Sequence, residues 1–310
     1  MICEVHGQLQ PRAIGAVEDT SEAQWLIEGL DPTLETVGAL VPRGFGAYAR
    51  ILHPAWRVRR EGGRLVRSPV RWSEVAELRG TTAHRLMQWP QVWALPLFDD
   101  SAIEYCVDAG LAPIACPDEG RLPPQVARVI QPVLSADADT AAPCWFGVWI
   151  GFGHEYRKGI PETHRLATID RQWDLFRAPL DALALNFFDV DEFFYQSANI
   201  VWPDDQSWCL ATDIDLNSSY LGGTKALIEA VLRNEALEAY EVSADDLFYA
   251  DNVNPQVHLA NFTLGLIGDD NEDWHIPLHE RMLSAIFGLA LRLGGRGGTG
   301  TLVGFSKRKK

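Results

Sequence analysis

The segment SANIVWPDDQSWCLATDIDLNSSYLGGTKALIEAVL (residues 197–232) carries the clearest structural pattern in the chain. Two apolar runs, ANIVW and WCLATDIDL, flank the turn-forming sequence Pro-Asp-Asp-Gln at 203–206, so we predict a β-hairpin. The continuation GGTKALIEAVL predicts a helix, because its apolar residues recur at helical spacing on one face. The segment therefore predicts two paired strands followed by a packed helix.

The order of elements outside this segment decides the fold class. Aromatic and β-branched residues predict strands at 46–53 and 143–153, and Gly62-Gly63 predicts a tight hairpin within 57–71. A proline at the first turn followed by apolar residues at helical spacing predicts a helix at 123–134. This irregular mixture indicates an α+β fold with a mixed, largely antiparallel sheet and helices packed on it, rather than a regular βαβ repeat.

The domain organisation follows from where the pattern loosens. We expect one sheet that receives strands from both halves, which makes residues 1–250 one domain with a weak boundary at 135–143. Residues 251–306 predict a C-terminal addition of a helix and a strand, and the basic tail at 307–310 is expected to fray.

Bulk composition excludes several classes of protein. The net charge of −15 makes nucleic acid a poor partner, because like charges repel over the whole surface. No apolar run reaches the roughly 18 residues that span a bilayer, and the first residues do not resemble a signal peptide. Five widely spaced cysteines argue against a disulfide framework and a zinc ribbon. We therefore expect a cytoplasmic protein without a membrane or nucleic-acid partner, of unknown oligomeric state.

One strongly basic strip interrupts the acidic chain. The sequence RVRREGGRLVRSPVR at 57–71, here called the arginine strip, has six arginines against one glutamate. It predicts either a hairpin with a solvated basic face or a surface that attracts an acidic partner. The loop HEYRKGIPETH at 154–164 adds polar residues suited to a pocket mouth or to a solvated loop. The candidate binding surface comprises Arg57, Arg59, Arg60, Arg64, Arg67, His154 and Arg157.

Two pairs of acids are the candidates for catalysis or metal binding. Asp213 and Asp215 lie two residues apart, which on a strand places both carboxylates on one face. Mg²⁺ or Mn²⁺ prefers several oxygen ligands, and a suitable hairpin register would bring Asp204 and Asp205 nearby. The alternative is that these acids cap turns and strand ends through local hydrogen bonds. Apart from this possibility of a divalent metal, we expect no cofactor.

Other motifs are incomplete. Gly222-Gly223-Thr224-Lys225 lacks the upstream glycine of a phosphate-binding loop, so its small residues predict close packing at a helix entry. His275 and His279 have the spacing of helical metal ligands, but Pro277 places His275 outside the helix. No GxSxG motif is present, and Cys144 and Cys209 lie on apolar strands where a thiol is inert.

Three pieces of the chain together resemble a family of uncharacterised actinobacterial proteins. They are FGAYARILHP (45–54), CWFGVWIGFG (144–153) and QSANIVWPDDQSWCLATDIDLNSSYLGGT (196–224). The family has a CWFxxWxGxG strand and a segment of the type WWPDDRAWCVATEIDF. This chain has Asp213 where that segment has glutamate, which weakens a strict Asp-x-Asp motif. The resemblance implies relatives without an assigned activity, and it carries over no catalytic residues.

Two functional hypotheses follow. The first is a non-enzymatic protein-binding or regulatory protein, of an immunity-like kind, that uses exposed tryptophan and an acidic surface against a basic protein; a protein partner is favoured over a small molecule. The enrichment in tryptophan, eleven residues, and the incomplete catalytic motifs support it. The second is a metal-dependent transferase or hydrolase that uses Asp213 and Asp215, with Asp204 or Asp205.

Overall fold

The computed structural model describes eight stretches of the chain between residues 14 and 248. The expected C-terminal addition, the basic tail and most of the weak boundary at 135–143 lie outside these stretches, so the domain boundaries remain predictions. The described residues are 14–33, 35–92, 100–110, 113–136, 143–152, 163–168, 171–187 and 195–248.

Among the described residues, nine strands form a main sheet in which every pairing is antiparallel. Their spatial order is β1-β8-β6-β9-β10-β11-β2-β12, and β7 also pairs with β8. The sheet takes strands from both sides of 135–143, as the sequence predicted. Its strands are β1 Gly15–Ala16, β2 Ala47–Leu52, β6 Cys144–Trp149, β7 Arg165–Ala167, β8 Gln172–Ala178, β9 Ile200–Pro203, β10 Cys209–Ala211, β11 Ser218–Gly223 and β12 Ala239–Val242.

A smaller sheet and seven α-helices complete the part of the chain that the structure describes. The smaller sheet has the order β4-β3-β5, with β3 Ala55–Glu61, β4 Arg64–Val70 and β5 Ile114–Ala115. The helices are α1 Gln24–Gly29, α2 Val37–Leu40, α3 Trp72–Leu78, α4 Trp89–Val92, α5 Asp100–Asp108, α6 Pro124–Ser135 and α7 Lys225–Leu232; short 3-10 turns occupy Ser21–Ala23, Ile150–Phe152 and Leu180–Ala184. The predicted α+β class with a largely antiparallel sheet is confirmed.

The segment 197–232 folds as a hairpin and a helix. The predicted turn connects β9 to β10, where the Gln206 amide donates to the Pro203 carbonyl at 3.0 Å. The predicted helix is α7, which begins after Thr224, whose hydroxyl accepts from the Leu227 amide at 3.1 Å. The second predicted strand is shorter than expected, because β10 ends at Ala211 and the chain turns before β11.

The main sheet is buried on both faces. One face packs against α6 and α7 through a core that includes Phe146, Leu210 and Leu221. The opposite face packs against α1 and α2 through a second core that includes Trp145 and Tyr220. A strand covered on both faces reads as a continuous apolar run, which explains ANIVW and CWFGVW.

Tryptophan builds these cores. Trp145 and Trp202 stack across β6 and β9 with centroids 5.8 Å apart, and Trp25 meets Trp202 edge-on at 6.1 Å. Six of the nine described tryptophans are buried and three are half-buried. The expectation of a tryptophan-rich contact surface is therefore wrong for the part of the chain described, because the indole rings fill the interior on both sides of the sheet.

Buried hydrogen bonds join the main sheet to α3 and to the segment before α4. Arg50 of β2, buried among neutral partners, donates to the Met87 carbonyl at 2.6 Å and to the Ser218 hydroxyl at 3.0 Å. Trp72, the first residue of α3, donates its indole N–H to the His53 carbonyl at 2.7 Å. Buried guanidinium and indole groups need such acceptors, so these bonds fix how the two parts meet.

The glycine pair at the end of β11 allows close packing, as the sequence predicted. A Cβ atom on Gly222 would lie 2.4 Å from the Phe45 ring and 2.8 Å from Val41. A Cβ atom on Gly223 would lie 2.8 Å from Leu227 of α7. The two glycines therefore let layers on opposite faces of the sheet approach its backbone.

We expect Gly222→Ala to lower the free energy of unfolding by about 1–3 kcal/mol, because the added methyl group has no space. The matched control is Gly46→Ala, where the nearest atoms to a Cβ lie 3.5 Å away or farther. The control should change stability by less than about 1 kcal/mol. Urea denaturation measures both, and equal effects of the two substitutions would contradict this account.

Candidate functional site

Asp213 and Asp215 lie in a turn and not on a strand. The turn joins β10 to β11, and the Asp213 carboxylate accepts from the Asp215 amide at 3.0 Å. Arg171 then pairs with both acids, at 3.2 Å to Asp213 and 3.7 Å to Asp215. The predicted strand geometry with two carboxylates on one face is wrong, because the short aspartate side chain satisfies the turn backbone instead.

Asp204 and Asp205 lie at the other end of β10. They occupy the turn between β9 and β10, so the length of β10 separates them from Asp213. Asp204 accepts from the Trp145 indole at 2.7 Å and forms an ion pair with Arg177. Asp205 accepts from the amide of Ser207 at 2.9 Å. The hypothesis that the hairpin register brings the four acids together is wrong, because the turns before and after β10 lie at opposite ends of that strand.

The four acids therefore act as caps and ion-pair partners, which is the alternative that the sequence left open. Within the stretches that the structure describes, no group of three or more His, Cys, Asp or Glu side chains has the arrangement of a metal site. His275 and His279 lie outside those stretches. The Asp213 carboxylate has its negative charge balanced by Arg171, so a cation would have to displace the guanidinium.

The arginine strip forms the predicted hairpin, with Gly62 and Gly63 at positive φ angles of 55° and 81°. Its arginines are divided between two faces, because successive side chains of a strand point in opposite directions. One face carries the buried Val58, which packs against Ile103 and Val107 near α5. Arg60 shares that face and forms ion pairs with Glu104 at 3.0 Å and Asp108 at 2.7 Å.

The opposite face of the hairpin carries Arg57, Arg59 and Arg64, which we call the arginine face. The register places Arg59 opposite Val66 and Glu61 opposite Arg64, so these side chains share one surface. Arg59 pairs with Glu61 at 2.6 Å. Among the described residues, no ion-pair partner or side-chain hydrogen bond is found for Arg57 or Arg64.

Those remaining members of the predicted binding surface that the structure describes are not on this face. Arg67 lies opposite Val58 and so belongs to the face turned towards α5. His154 and Arg157 lie outside the described residues, so the predicted contribution of the 154–164 loop stays a prediction. Of the arginine strip, only Arg57, Arg59 and Arg64 therefore form the arginine face.

A small polar cleft opens where several strand ends meet beside the α1–α2 layer. The β7–β8 turn and β8 contribute Thr168, Arg171 and Trp173, and the segments around β9 and β10 contribute polar and apolar groups. The remaining lining residues are Leu30, Ala39, Leu40, Asn199, Ile200, Thr212 and Asp213. The cleft therefore contains the Arg171–Asp213 pair that the acid motif alone did not predict.

A buried chain of hydrogen bonds runs inward from this cleft. The Thr212 hydroxyl lies 2.6 Å from the Ser219 hydroxyl, which lies 2.9 Å from Nε2 of His53. The other ring nitrogen of His53 lies 2.7 Å from the Asp118 carbonyl oxygen. A carbonyl only accepts, so Nδ1 carries the proton, Nε2 accepts from Ser219, and Thr212 donates to Ser219.

Ser219 and His53 are hydrogen-bonded in the order of a catalytic nucleophile and its base, but a substrate cannot reach them. Both Ser219 and His53 are 0% exposed, so no substrate reaches the serine hydroxyl. Burial also lowers the pKa of His53 to about 4, which makes it a weak base at neutral pH. The chain of bonds therefore satisfies buried polar groups and holds the 116–121 segment against the sheet.

No motif in the sequence pointed to this network. His53 is separated from its two partners, Asp118 and Ser219, by 65 and 166 residues. The only local hint is a histidine between an apolar strand and Pro54. Polar groups so far apart in the chain become partners only through the pairing of β2 with β11.

Comparison with known protein families, curated proteins and solved structures gives no match to this chain. Among the described residues, no helix is long and apolar enough to cross a bilayer.

We expect His53 to make stability depend on pH between about 4 and 6.5. In this window the unfolded histidine binds a proton with a pKa near 6.5 and the buried one does not, so stability falls as pH falls. The loss approaches roughly 3 kcal/mol by pH 4. Denaturation of wild type and His53→Gln across this range measures it.

The His53→Gln profile should lack this part of the slope, because glutamine takes up no proton in that range. Above about pH 7 the two profiles should run parallel, since histidine is neutral in both states there. An unchanged slope between pH 4 and 6.5 in the variant would show that His53 is not the titrating group.

Proposed function

We propose that this chain is a non-enzymatic, cytoplasmic protein-binding protein that contacts an acidic partner through the arginine face. The observation that carries the proposal is that the exposed Arg59 and Arg64 and the half-buried Arg57 share one face of the β3–β4 hairpin in a chain of net charge −15. The role is that of a regulatory or immunity-like partner. The proposal keeps a protein-binding role from the sequence, but it replaces the tryptophan-containing acidic surface with the arginine face, so the expected partner is acidic and not basic.

The state of the individual arginines supports this surface. The charge of Arg60 is balanced by Glu104 and Asp108, so Arg60 mainly attaches the hairpin to α5. Arg57 and Arg64 have no such internal acid within the described residues. A guanidinium group matches a carboxylate in a bidentate geometry, which makes carboxylate side chains of a protein a suitable ligand.

The charge of the whole protein favours a local acidic segment over a long polyanion. A nucleic acid extends far beyond a patch of three arginines, so it also meets the repulsion of a chain with net charge −15. An acidic segment of a protein can place a few carboxylates on the arginine face alone. The complementary charge would speed association and orient the partner.

The metal-dependent alternative receives less support. Asp213 and Asp215 share Arg171, while Asp204 pairs with Arg177 at the other end of β10. Binding of Mg²⁺ or Mn²⁺ at Asp213 would have to offset the loss of this ion pair.

The cytoplasmic part of the proposal is supported by four described cysteines that are all free thiols, since disulfides form mainly in oxidising compartments.

We expect wild-type protein to bind a short peptide of consecutive glutamates in low salt, and the triple variant Arg57→Glu, Arg59→Glu, Arg64→Glu to bind it at least about tenfold more weakly. The three substitutions remove the cations that the carboxylates contact. Titration calorimetry at several salt concentrations measures affinity and its salt dependence, and circular dichroism verifies that the variant is folded.

The matched control reverses three exposed cations on α6 and α7: Arg128→Glu, Lys225→Glu and Arg233→Glu. It changes the net charge by the same amount but leaves the arginine face intact, so its affinity should stay within about threefold of wild type. Equal losses of affinity in the two variants would show that net charge alone causes the effect. If the wild-type protein does not bind the short glutamate peptide, or binds single-stranded DNA more tightly, the proposal is contradicted.

A further inference from the structure

One edge of the main sheet carries backbone groups that no other described strand pairs. Strand β12 stands at the end of the strand order, and β2 is its strand neighbour among the described residues. The Leu52 amide donates to the Glu238 carbonyl at 2.8 Å, so these two residues form a hydrogen-bonded pair of the antiparallel ladder. Such pairs recur at every second residue, so Tyr240 and Val242 also direct their backbone groups at β2.

The alternate residues of β12, Ala239 and Glu241, therefore direct their amides and carbonyls away from β2. Within the stretches that the structure describes, no hydrogen bond reaches the backbone of either residue. Glu241 is exposed and Ala239 is half-buried, so solvent reaches both residues. This edge thus offers two amides and two carbonyls with which a further strand can pair.

The other described edges of the two sheets are less suited to such pairing. Strands β1 and β5 have two residues each and β7 has three. The edge strand β4 contains Pro69, which has no amide to donate. Strand β12 is longer than β1, β5 and β7, and it contains neither proline nor lysine, the residues that commonly protect an edge strand.

The charge around β12 determines which strand fits. The segment 235–246 contains five acidic residues and no lysine or arginine. Asp245 and Asp246 form ion pairs with arginines, and Glu238 caps α3. Glu241 is exposed and has no ion-pair partner within the described part of the chain. A second copy of β12 would bring the same acids to the edge, whereas a basic strand would complement them.

We propose that β12 is a docking site for an extended basic segment of a partner protein, which pairs antiparallel with β12 as an additional strand of the main sheet. The residues of that segment opposite Ala239 and Glu241 exchange backbone hydrogen bonds with them. A lysine or arginine opposite Glu241 lies next to its carboxylate as a cross-strand pair. The site is separate from the arginine face and does not depend on the proposed function.

A short peptide of alternating lysine and threonine is the probe. Wild type should bind it, and hydrogen exchange should show that the amides of Ala239 and Glu241 become protected on binding. With lysine opposite Glu241, the lysine amides face β12 and the threonine amides face away. The peptide N-methylated at its lysines should therefore bind at least about tenfold more weakly than the peptide N-methylated at its threonines.

Substitutions on β12 test the place of binding. Ala239→Pro removes an amide that faces away from β2, so the ladder with β2 is kept, and Ala239→Val is the control that keeps the amide. Glu241→Lys reverses the charge of the edge, and Glu22→Lys reverses an exposed acid of the 3-10 turn at Ser21–Ala23. Ala239→Pro and Glu241→Lys should weaken binding of the lysine–threonine peptide at least about tenfold, and the two controls less than about threefold.

The outcomes separate this site from its alternatives. Equal affinity for the two methylated peptides, or unchanged affinity in Glu241→Lys, would overturn the inference. A wild-type dimer in sedimentation that Glu241→Lys or Ala239→Pro separates would overturn it too, since a second copy would then occupy the edge. If Ala239→Pro does not fold, the methylated peptides and Glu241→Lys still decide. The triple arginine variant should bind the lysine–threonine peptide at least as tightly as wild type, so this inference and the proposed function fail separately.

Discussion

Burial of both faces of the main sheet is the constraint on which the rest of this structure depends. Helices α6 and α7 cover one face and the α1–α2 layer covers the other, so a side chain from the middle of a central strand enters a core in either direction. Polar side chains in such strands must find partners inside the protein, and charged groups are displaced to strand ends. This is why the four acids and the cleft lie at the ends of the main-sheet strands, whereas the arginine face lies on the smaller sheet.

The exceptions to that rule are buried polar groups that join separate parts of the chain. Arg50 and His53 extend from β2 and its end to the 85–88 and 116–121 segments, with acceptors that are neutral and mostly from the backbone. Glu238, which follows α7, accepts from the first two amides of α3 at 2.6 and 2.8 Å. The loss of each of these bonds would cost free energy, so together they specify where α3 and the 85–88 and 116–121 segments lie against the main sheet.

The tryptophan content also follows from this double burial. A sheet with two cores needs large side chains on both faces, and Trp145, Trp202 and Trp208 supply them close to the sheet centre. The high tryptophan content suggested residues that contact a partner protein, but these tryptophans pack the cores of the sheet. Surface recognition is left to arginine, which remains exposed on the hairpin because its charge is costly to bury.

Local sequence was sufficient for elements whose signals are local. The Gly62-Gly63 hairpin, the turn after Pro203, α6 and α7 were predictable, because turn residues and apolar periodicity act within a few residues. The prediction from local sequence was wrong at 212–216, where the alternation of polar and apolar residues suggested a strand. There Asp213 forms its own turn bond and takes Arg171 as a partner 42 residues away.

The sequence by itself therefore determined the fold class, the order of the main elements and the basic character of one hairpin. Only the tertiary structure decided which arginines face outward, that the four acids are separated and paired, and that Trp173 and Asp213 border one cleft. The physical reason is that pairing between strands distant in the chain sets these contacts. A one-residue change of register would turn each side chain to the other face of the sheet.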